Sequence, residues 1–350
     1  MKRIAIVSPS GNYYGSEQVL YDFLCFTKNT YEIYVPSGKF YDILRNTRKS
    51  NLHIHSFKSV KALYARLFWL LTLNVIDGVY INEAGHSRYV KILAKIFPRK
   101  RFFIHVRLLE DTKEARIGNL PPNTTLISVS DYISKEIRNE TGQSAVSIID
   151  IYRIKNALHT SIKPIPIRDI QIGIVGRLTD TKGLDDLIDF CDYVENNPTH
   201  KLTLNFYGDI NQESANVIAF VRKSSSYKNL KCIFHGYVDG AECIYPNINI
   251  LLHFNRKEPL GRIAFEALDY GIPFIGFNSG GIGEIARKLS LTDVMIDPNE
   301  SNTSELILCS LNHIISNSSV WDKYSSARLR LPELCSPLSY TNSIESLFGI

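Results

Sequence analysis

Short runs of β-branched and aliphatic residues alternate with stretches of helical periodicity along nearly the whole chain, and this alternation most limits the folds open to it. In the first half, strands are expected at Ile4–Ser8, Tyr31–Val35, Leu52–Ser56, Gly78–Asn82, Phe102–Val106 and Leu126–Val129. Helical segments lie between them, such as Gln18–Thr27, where Val19, Leu20, Phe23 and Leu24 share one face. The pattern restarts at Ile167–Gly176 and continues through Leu202–Tyr207, Leu230–His235, Asn249–His253 and Pro273–Phe277. Such repetition gives parallel sheets covered by helices on both faces. At 350 residues the chain exceeds one ordinary core, and Lys163-Pro164-Ile165-Pro166 reads as an extended linker. The expectation is two doubly wound α/β domains, 1–157 and 158–335, facing each other across a cleft. A tail, 336–350, carries a helix at Ser339–Phe348 that packs back toward the first domain. Such a cleft gathers the C-terminal ends of strands and several helix N-termini around one ligand.

Composition narrows the setting. Met-Lys-Arg runs directly into Ile4-Ala5-Ile6-Val7, without the apolar region and cleavage site of a secretion signal. The longest mostly apolar stretch, Leu67–Ile76, is about half the ~20 residues of a spanning helix. Six scattered cysteines have no pair at two-residue spacing and read as reduced thiols. These features point to a soluble, cytoplasmic protein. Its net charge of +5 hides an asymmetry: residues 1–157 carry 23 Lys and Arg against 13 Asp and Glu, a net of +10, whereas residues 158–350 carry 17 against 22. A basic first half suggests an anionic partner. Lys91, Lys95, Arg99, Lys100 and Arg101 stand beside Ile92, Leu93, Ile96 and Phe97, and Leu63–Leu71 is an apolar, aromatic helix. Both suit a peripheral contact with anionic lipid headgroups on the inner face of the cell membrane. A solvated helix end and a core helix are the plainer alternatives. No recognition motif accompanies the charge, so nucleic acid is not expected.

Four loops carry residues suited to chemistry. Gly11-Asn12-Tyr13-Tyr14-Gly15-Ser16-Glu17 joins the first strand to the first helix, where glycines admit close backbone approach and the helix start offers amides to an anion. An ordinary tight turn looks the same. Gly176-Arg177-Leu178-Thr179-Asp180-Thr181-Lys182-Gly183 follows the first strand of the second half. Arg177 and Lys182 can converge there on one diphosphate, one as a planar fork and the other as a point charge, unless they are merely solvated. In Glu258-Pro259-Leu260-Gly261-Arg262-Ile263-Ala264-Phe265-Glu266, two carboxylates bracket a turn and the start of a helix. Glu258 sits before that helix, and Glu266, on the same side, can accept a pair of ribose hydroxyls. The alternative is an Arg262–Glu266 ion pair one helical turn apart. Asn278–Ile285 is a further strand-end glycine loop. Its Gly281, Gly283 and Ala286 formally fit a dinucleotide fingerprint but come too late in the chain, and it reads as a loop lining the cleft.

Taken in order, these loops resemble the retaining GT-B glycosyltransferases of glycosyltransferase family 4, whose fold is a pair of Rossmann-like domains. The matching positions are Tyr14 to Glu17, Gly176 to Gly183, Glu258 to Glu266 and Gly280 to Glu284, within a resemblance running from residue 4 to about 290. It implies that Arg177 and Lys182, after Gly176, hold the diphosphate of a nucleotide-sugar donor, aided by the amides of Gly15 and Ser16. Glu266 binds the nucleotide ribose, and Glu258 with Pro259, Leu260 and Gly261 faces the donor sugar. Gly236 and Tyr237 match a stretch near the base. His105 aligns with a histidine near the reacting sugar, and a satisfied strand-end histidine is its alternative. Asn156-Ala157 departs from the family's interdomain Asn-Gly, and Leu260 stands where phenylalanine is common.

The chemistry so implied breaks an anomeric C–O bond as charge gathers on the departing diphosphate. No Asp-x-Asp pair and no His/Cys ligand cluster is visible, so neither metal nor cofactor is expected, and Arg177, Lys182 and helix N-termini supply the stabilising charge. Domain closure then excludes water and favours transfer over hydrolysis. The expected acceptor is a glycan or a lipid-linked glycan, as in bacterial O-antigen or capsule synthesis. Two rivals remain: a GT-B sugar-nucleotide 2-epimerase, for which no set of proton-abstracting acids can be assembled, and a non-catalytic nucleotide-sugar-binding scaffold, which has no use for Arg177, Lys182, Glu258 and Glu266 together.

Overall fold

The computed structural model describes residues 3–156, 165 and 169–350. Ala157, the linker residues Lys163, Pro164 and Pro166, and the expected strand opening at Ile167-Arg168 lie outside the described residues. The chain forms two compact units, Met1–Arg153 together with Cys335–Ile350, and Ile154–Leu334.

The first unit is built on seven parallel strands, β1 (Ile4–Val7), β2 (Tyr31–Pro36), β3 (Leu52–Phe57), β4 (Gly78–Ile81), β5 (Arg101–Val106), β6 (Thr124–Ser128) and β7 (Ala145–Ser147). Their order is β3-β2-β1-β4-β5-β6-β7. The central strands β1 and β4 are buried at every residue, as expected where helices cover both faces of a parallel sheet. Helix α1 (Gly15–Phe26) buries Val19, Leu20, Phe23 and Leu24. Its start is held by the Glu17 carboxylate, which accepts the Tyr14 N–H at 3.1 Å. Helix α2 (Val60–Thr72) is capped by the Ser59 hydroxyl, and α3 (Ser87–Ile96) buries Val90, Leu93 and Ala94. Strand β7, three residues long, is too short to register as an alternating pattern in sequence.

The second unit has five parallel strands, β8 (Ile170–Val175), β9 (Leu202–Tyr207), β10 (Leu230–Gly236), β11 (Ile250–His253) and β12 (Phe274–Gly276), ordered β10-β9-β8-β11-β12. The chain moves outward from β8 through β9 to β10, then returns to the other side of β8 as β11. Strands β8 and β11 are therefore neighbours where the strand order reverses, and the crevice outside the C-terminal ends of strands at such a switch point is where ligands of open α/β sheets bind. The helices that flank it are α4 (Leu184–Asn196), α5 (Arg262–Asp269) and α6 (Gly280–Lys288).

The tail helix α7 (Pro337–Phe348) belongs to the first unit. Its Tyr340, Ile344 and Phe348 enter the core formed by β1, β2 and α1. The Phe348 ring lies 4.8 Å from Phe103, 5.6 Å from Tyr80 and 6.3 Å from Tyr31.

Candidate active site

In the second unit the Gly176–Gly183 loop leaves β8 and the Phe254–Gly261 loop leaves β11, its neighbour in the sheet. The two loops touch at Gly183. A Cβ there would stand 2.1 Å from the Phe254 carbonyl oxygen, and φ is +78°, so only glycine lets α4 begin against the second loop. This packing carries Lys182, in the turn before α4, to Glu258. The Lys182 Nζ donates to Glu258 Oε2 at 2.9 Å, and Asn255 Nδ2 donates to the same oxygen at 2.8 Å. His253 Nε2 lies 3.5 Å from it. Burial pushes the Glu258 carboxyl up, but His253 and Lys182 outweigh it and hold the group well below the usual carboxylate range. Glu258 is therefore an anion at neutral pH. Arg177, beside Gly176, is exposed and makes no hydrogen bond or ion pair among the described residues.

Glu258 is also fixed from behind. Arg256 forks onto Asp186 of α4, Nε to Oδ2 at 2.8 Å and a terminal nitrogen to Oδ1 at 2.5 Å, with its guanidinium 4.3 Å above the Phe277 ring. The fourth glycine loop completes the support. Gly281 N–H donates to the Glu258 carbonyl at 2.7 Å, and a Cβ on Gly281 would stand 2.3 Å from Leu260 Cα. That loop thus backs Pro259 and Leu260 directly. Leu260 is buried, and Gly261, at φ +88°, starts α5. In the second turn of α5, Glu266 accepts from Tyr245 Oη at 3.0 Å. Burial raises the Glu266 carboxyl above its ordinary value, against the Arg262 charge and the Tyr245 hydrogen bond.

The loop after β10 lies along the same edge of the sheet. Gly208 N–H donates to the Gly236 carbonyl at 2.8 Å, and His235 stacks on Tyr207 with ring centroids 4.4 Å apart. Tyr237 is exposed. Gly176, Arg177, Lys182, Gly236, Tyr237 and the Glu258–Glu266 segment thus all belong to loops or helix starts at the C-terminal edge of one sheet. His253, Asn255, Arg256 and Asp186 were missed in sequence. For the first three the only signal was their place at or just after the end of a strand ahead of a candidate carboxylate; Asp186, in the first turn of α4, had none.

The remaining candidates lie in the first unit. Gly15 and Ser16 open α1, and the Ser16 carbonyl accepts from Asn82 Nδ2 at 3.1 Å. His105 is wholly buried on β5. Its Nδ1 lies 2.8 Å from Tyr80 Oη and 3.3 Å from an Arg107 nitrogen, while Arg107 pairs with Asp150 at 2.5 Å. Arg107 can only donate, so Nδ1 accepts and the ring proton sits on Nε2, which has no protein partner. Burial, then the Arg107 charge, lowers its pKa well below the ordinary histidine value, so the ring is neutral. Among the described residues, no group of three His, Cys, Asp or Glu is placed to hold a metal ion, and all six cysteines are free thiols.

Residues 159–318 match the family model of group 1 glycosyl transferases. The chain carries a family 4 glycosyltransferase domain. No curated protein matches the sequence. Among solved structures, Anabaena Alr3699/HepE in complex with UDP and glucose is similar at 17% identity and TM-score 0.74, with all of both chains covered. A glycosyltransferase from Rickettsia africae matches at 13% identity and TM-score 0.74, covering 99% of this chain and 98% of that one. The lipopolysaccharide outer core galactosyltransferase WaaB, in its apo form, matches at 18% identity and TM-score 0.70, covering 98% and 99%. These likenesses agree with the two parallel sheets, each flanked by helices, in giving this glycosyltransferase the GT-B fold.

Proposed function

We propose that this glycosyltransferase moves a sugar, with retention of anomeric configuration, from a nucleoside-diphosphate donor to a glycan or lipid-linked acceptor in bacterial surface-polysaccharide synthesis. The observation that carries the reading is the adjacency of the Arg177–Lys182 loop and the Glu258 loop on β8 and β11. In it, Arg177 and Lys182 take the diphosphate and neutralise the charge that develops as the sugar leaves. One such preorganised donor is typically worth ~3 kcal/mol of barrier. Glu266 takes the ribose hydroxyls, Glu258 and Pro259–Gly261 face the sugar, and Gly236 and Tyr237 lie toward the base. Gly15 and Ser16 offer amides to the anion. His105 is assigned to the reacting sugar through Nε2, since its Nδ1 is committed to Tyr80 and Arg107. The UDP held by the HepE structure supports a uridine donor as the first to try.

We further assign this work to an anionic membrane surface. Helices α2 and α3 lie side by side, with Tyr64 stacked on Tyr89 at 4.7 Å and Phe68 against Phe97 at 5.4 Å. Their C-terminal ends present Trp69, Leu73, Ile92 and Ile96, each more than half exposed, beside exposed Lys95, Arg99 and Arg101. Among the described residues these three cations pair with no acid, whereas the nearby Asp77 is occupied by Lys100 at 3.3 Å. Apolar side chains ringed by unpaired cations suit headgroup insertion. Among the described residues, no helix is long and apolar enough to cross a membrane.

Replacing Arg177 and Lys182 together by alanine tests the donor assignment. Transfer from a labelled nucleotide-sugar is expected to vanish with the circular dichroism spectrum unchanged. Undiminished transfer would remove both residues from the role.

A further inference from the structure

Lys182 is assigned to a diphosphate, yet its ammonium already has an anionic partner in Glu258. Two hydrogen-bond donors, Lys182 and Asn255, and the His253 ring nitrogen at 3.5 Å converge on that single carboxylate oxygen, but the three are not equally mobile. His253 ends β11 with its side chain 10% exposed. Asn255 is buried, and its Oδ1 accepts the Lys257 N–H at 3.1 Å, which fixes the amide. Lys182 is 41% exposed on a flexible four-carbon stem. Of the three, only the lysine can follow a ligand.

We propose that Glu258 and the donor diphosphate compete for Lys182, and that His253 and Asn255 are positioning residues that hold the Glu258 carboxylate while the lysine is on the diphosphate. The inference rests on the reading of Lys182 as a diphosphate ligand. Two anions then share one cation, so each weakens the other's hold on it. Before transfer, the diphosphate draws Lys182 away, and Asn255 Nδ2 keeps the carboxylate aimed, with the His253 N–H beside it. After transfer, Glu258 reclaims the lysine, and this return favours departure of the nucleoside diphosphate. A pocket that bound the diphosphate without a rival would release product more slowly.

The test is titration calorimetry of the full chain with UDP, GDP and dTDP in turn, following whichever binds. K182M is expected to weaken binding roughly tenfold. E258Q is expected to tighten it about threefold, because the rival charge is gone. E258Q is measured at a temperature where circular dichroism shows it fully folded, and E258A is the second variant read in the same way. H253L is expected to weaken binding in the wild-type background, where Glu258 then clings to the lysine, and to change nothing in the E258Q background. H253Q, which restores a nitrogen donor, returns wild-type affinity. Binding by K182M at wild-type strength would overturn the donor reading and the competition together. Weakened K182M with an E258 variant no tighter than wild type would overturn the competition alone. An H253L effect that persists in E258Q would make the histidine a merely structural residue and remove its positioning role.

Discussion

Arg256 grips Asp186 through two nitrogen–oxygen contacts, 2.8 and 2.5 Å, and so ties the loop that carries Glu258 to the helix that follows Lys182. The two site loops are thereby positioned by one ion pair as well as by the Gly183 contact. Lysine cannot reproduce the fork. R256K is expected to lose about 1–2 kcal/mol of stability in urea unfolding. It should also lower transfer more than that loss explains, because Glu258 and Lys182 lose their register. Wild-type kinetics in R256K would count against this positioning role.

The two carboxylates of the Glu258–Glu266 pair should respond to pH with opposite signs. Glu258 is held below its ordinary value by His253 and Lys182, against burial. Its stabilisation is therefore complete above the unfolded carboxyl pKa of ~4.3 and is lost as pH falls through the folded value. Glu266 is raised by burial, so folding costs free energy once pH exceeds its folded value. E258Q should thus destabilise the protein at pH 7, by roughly 1–3 kcal/mol, whereas E266Q should stabilise it. The E266Q difference should shrink as pH falls toward 4, whereas the E258Q difference should persist there and shrink only at more acidic pH. Denaturant unfolding across that range is the measurement, and the same sign for both variants would refute the assignment.

For the membrane surface, Trp69 is a ready reporter, since the only other tryptophan, Trp321, is half-buried with its indole N–H donating to the Ile314 carbonyl. Phosphatidylglycerol vesicles are expected to float the protein and to shift its Trp69 emission to the blue. Phosphatidylcholine vesicles should do neither. Charge near an anionic surface is worth about 1 kcal/mol per Lys or Arg, so salt should release the protein. W69E combined with I96E is expected to abolish flotation without changing transfer to a soluble acceptor. Salt-insensitive flotation, or none, would overturn the assignment.

The tail helix contributes a core residue. Phe348 is fully buried against Phe103, Tyr80 and Tyr31. F348A is expected to cost about 3–5 kcal/mol, the range for removing a buried aromatic ring. Thermal unfolding read by circular dichroism measures it, and a loss under ~1 kcal/mol would mean that the last turn adds little to the first unit.

Much of the candidate site was legible because its chemistry is local. A cation or carboxylate on a glycine-bearing loop between a strand and a helix can be recognised from adjacent residues alone, as with Arg177, Lys182, Glu258 and Glu266. His253, Asn255 and Asp186 were not legible. Their importance arises only from contacts with residues between 3 and 70 positions away. His105 shows the limit from the other side: its place on a strand was readable, but its enclosure by Tyr80, Arg107 and Asp150 was not.

By itself the sequence determined that this chain makes strands and helices in alternation, and where, because hydrophobic periodicity and glycine conformational freedom act over a few residues. It also determined which loops could meet a phosphorylated ligand, since charge and loop type travel together. Tertiary structure alone decided that β11 returns beside β8, bringing Glu258 to Lys182, and that helices α2 and α3 pool their aromatic and basic ends into one surface. Strand order and helix neighbours follow from how whole faces bury against each other, and that energy belongs to no single segment.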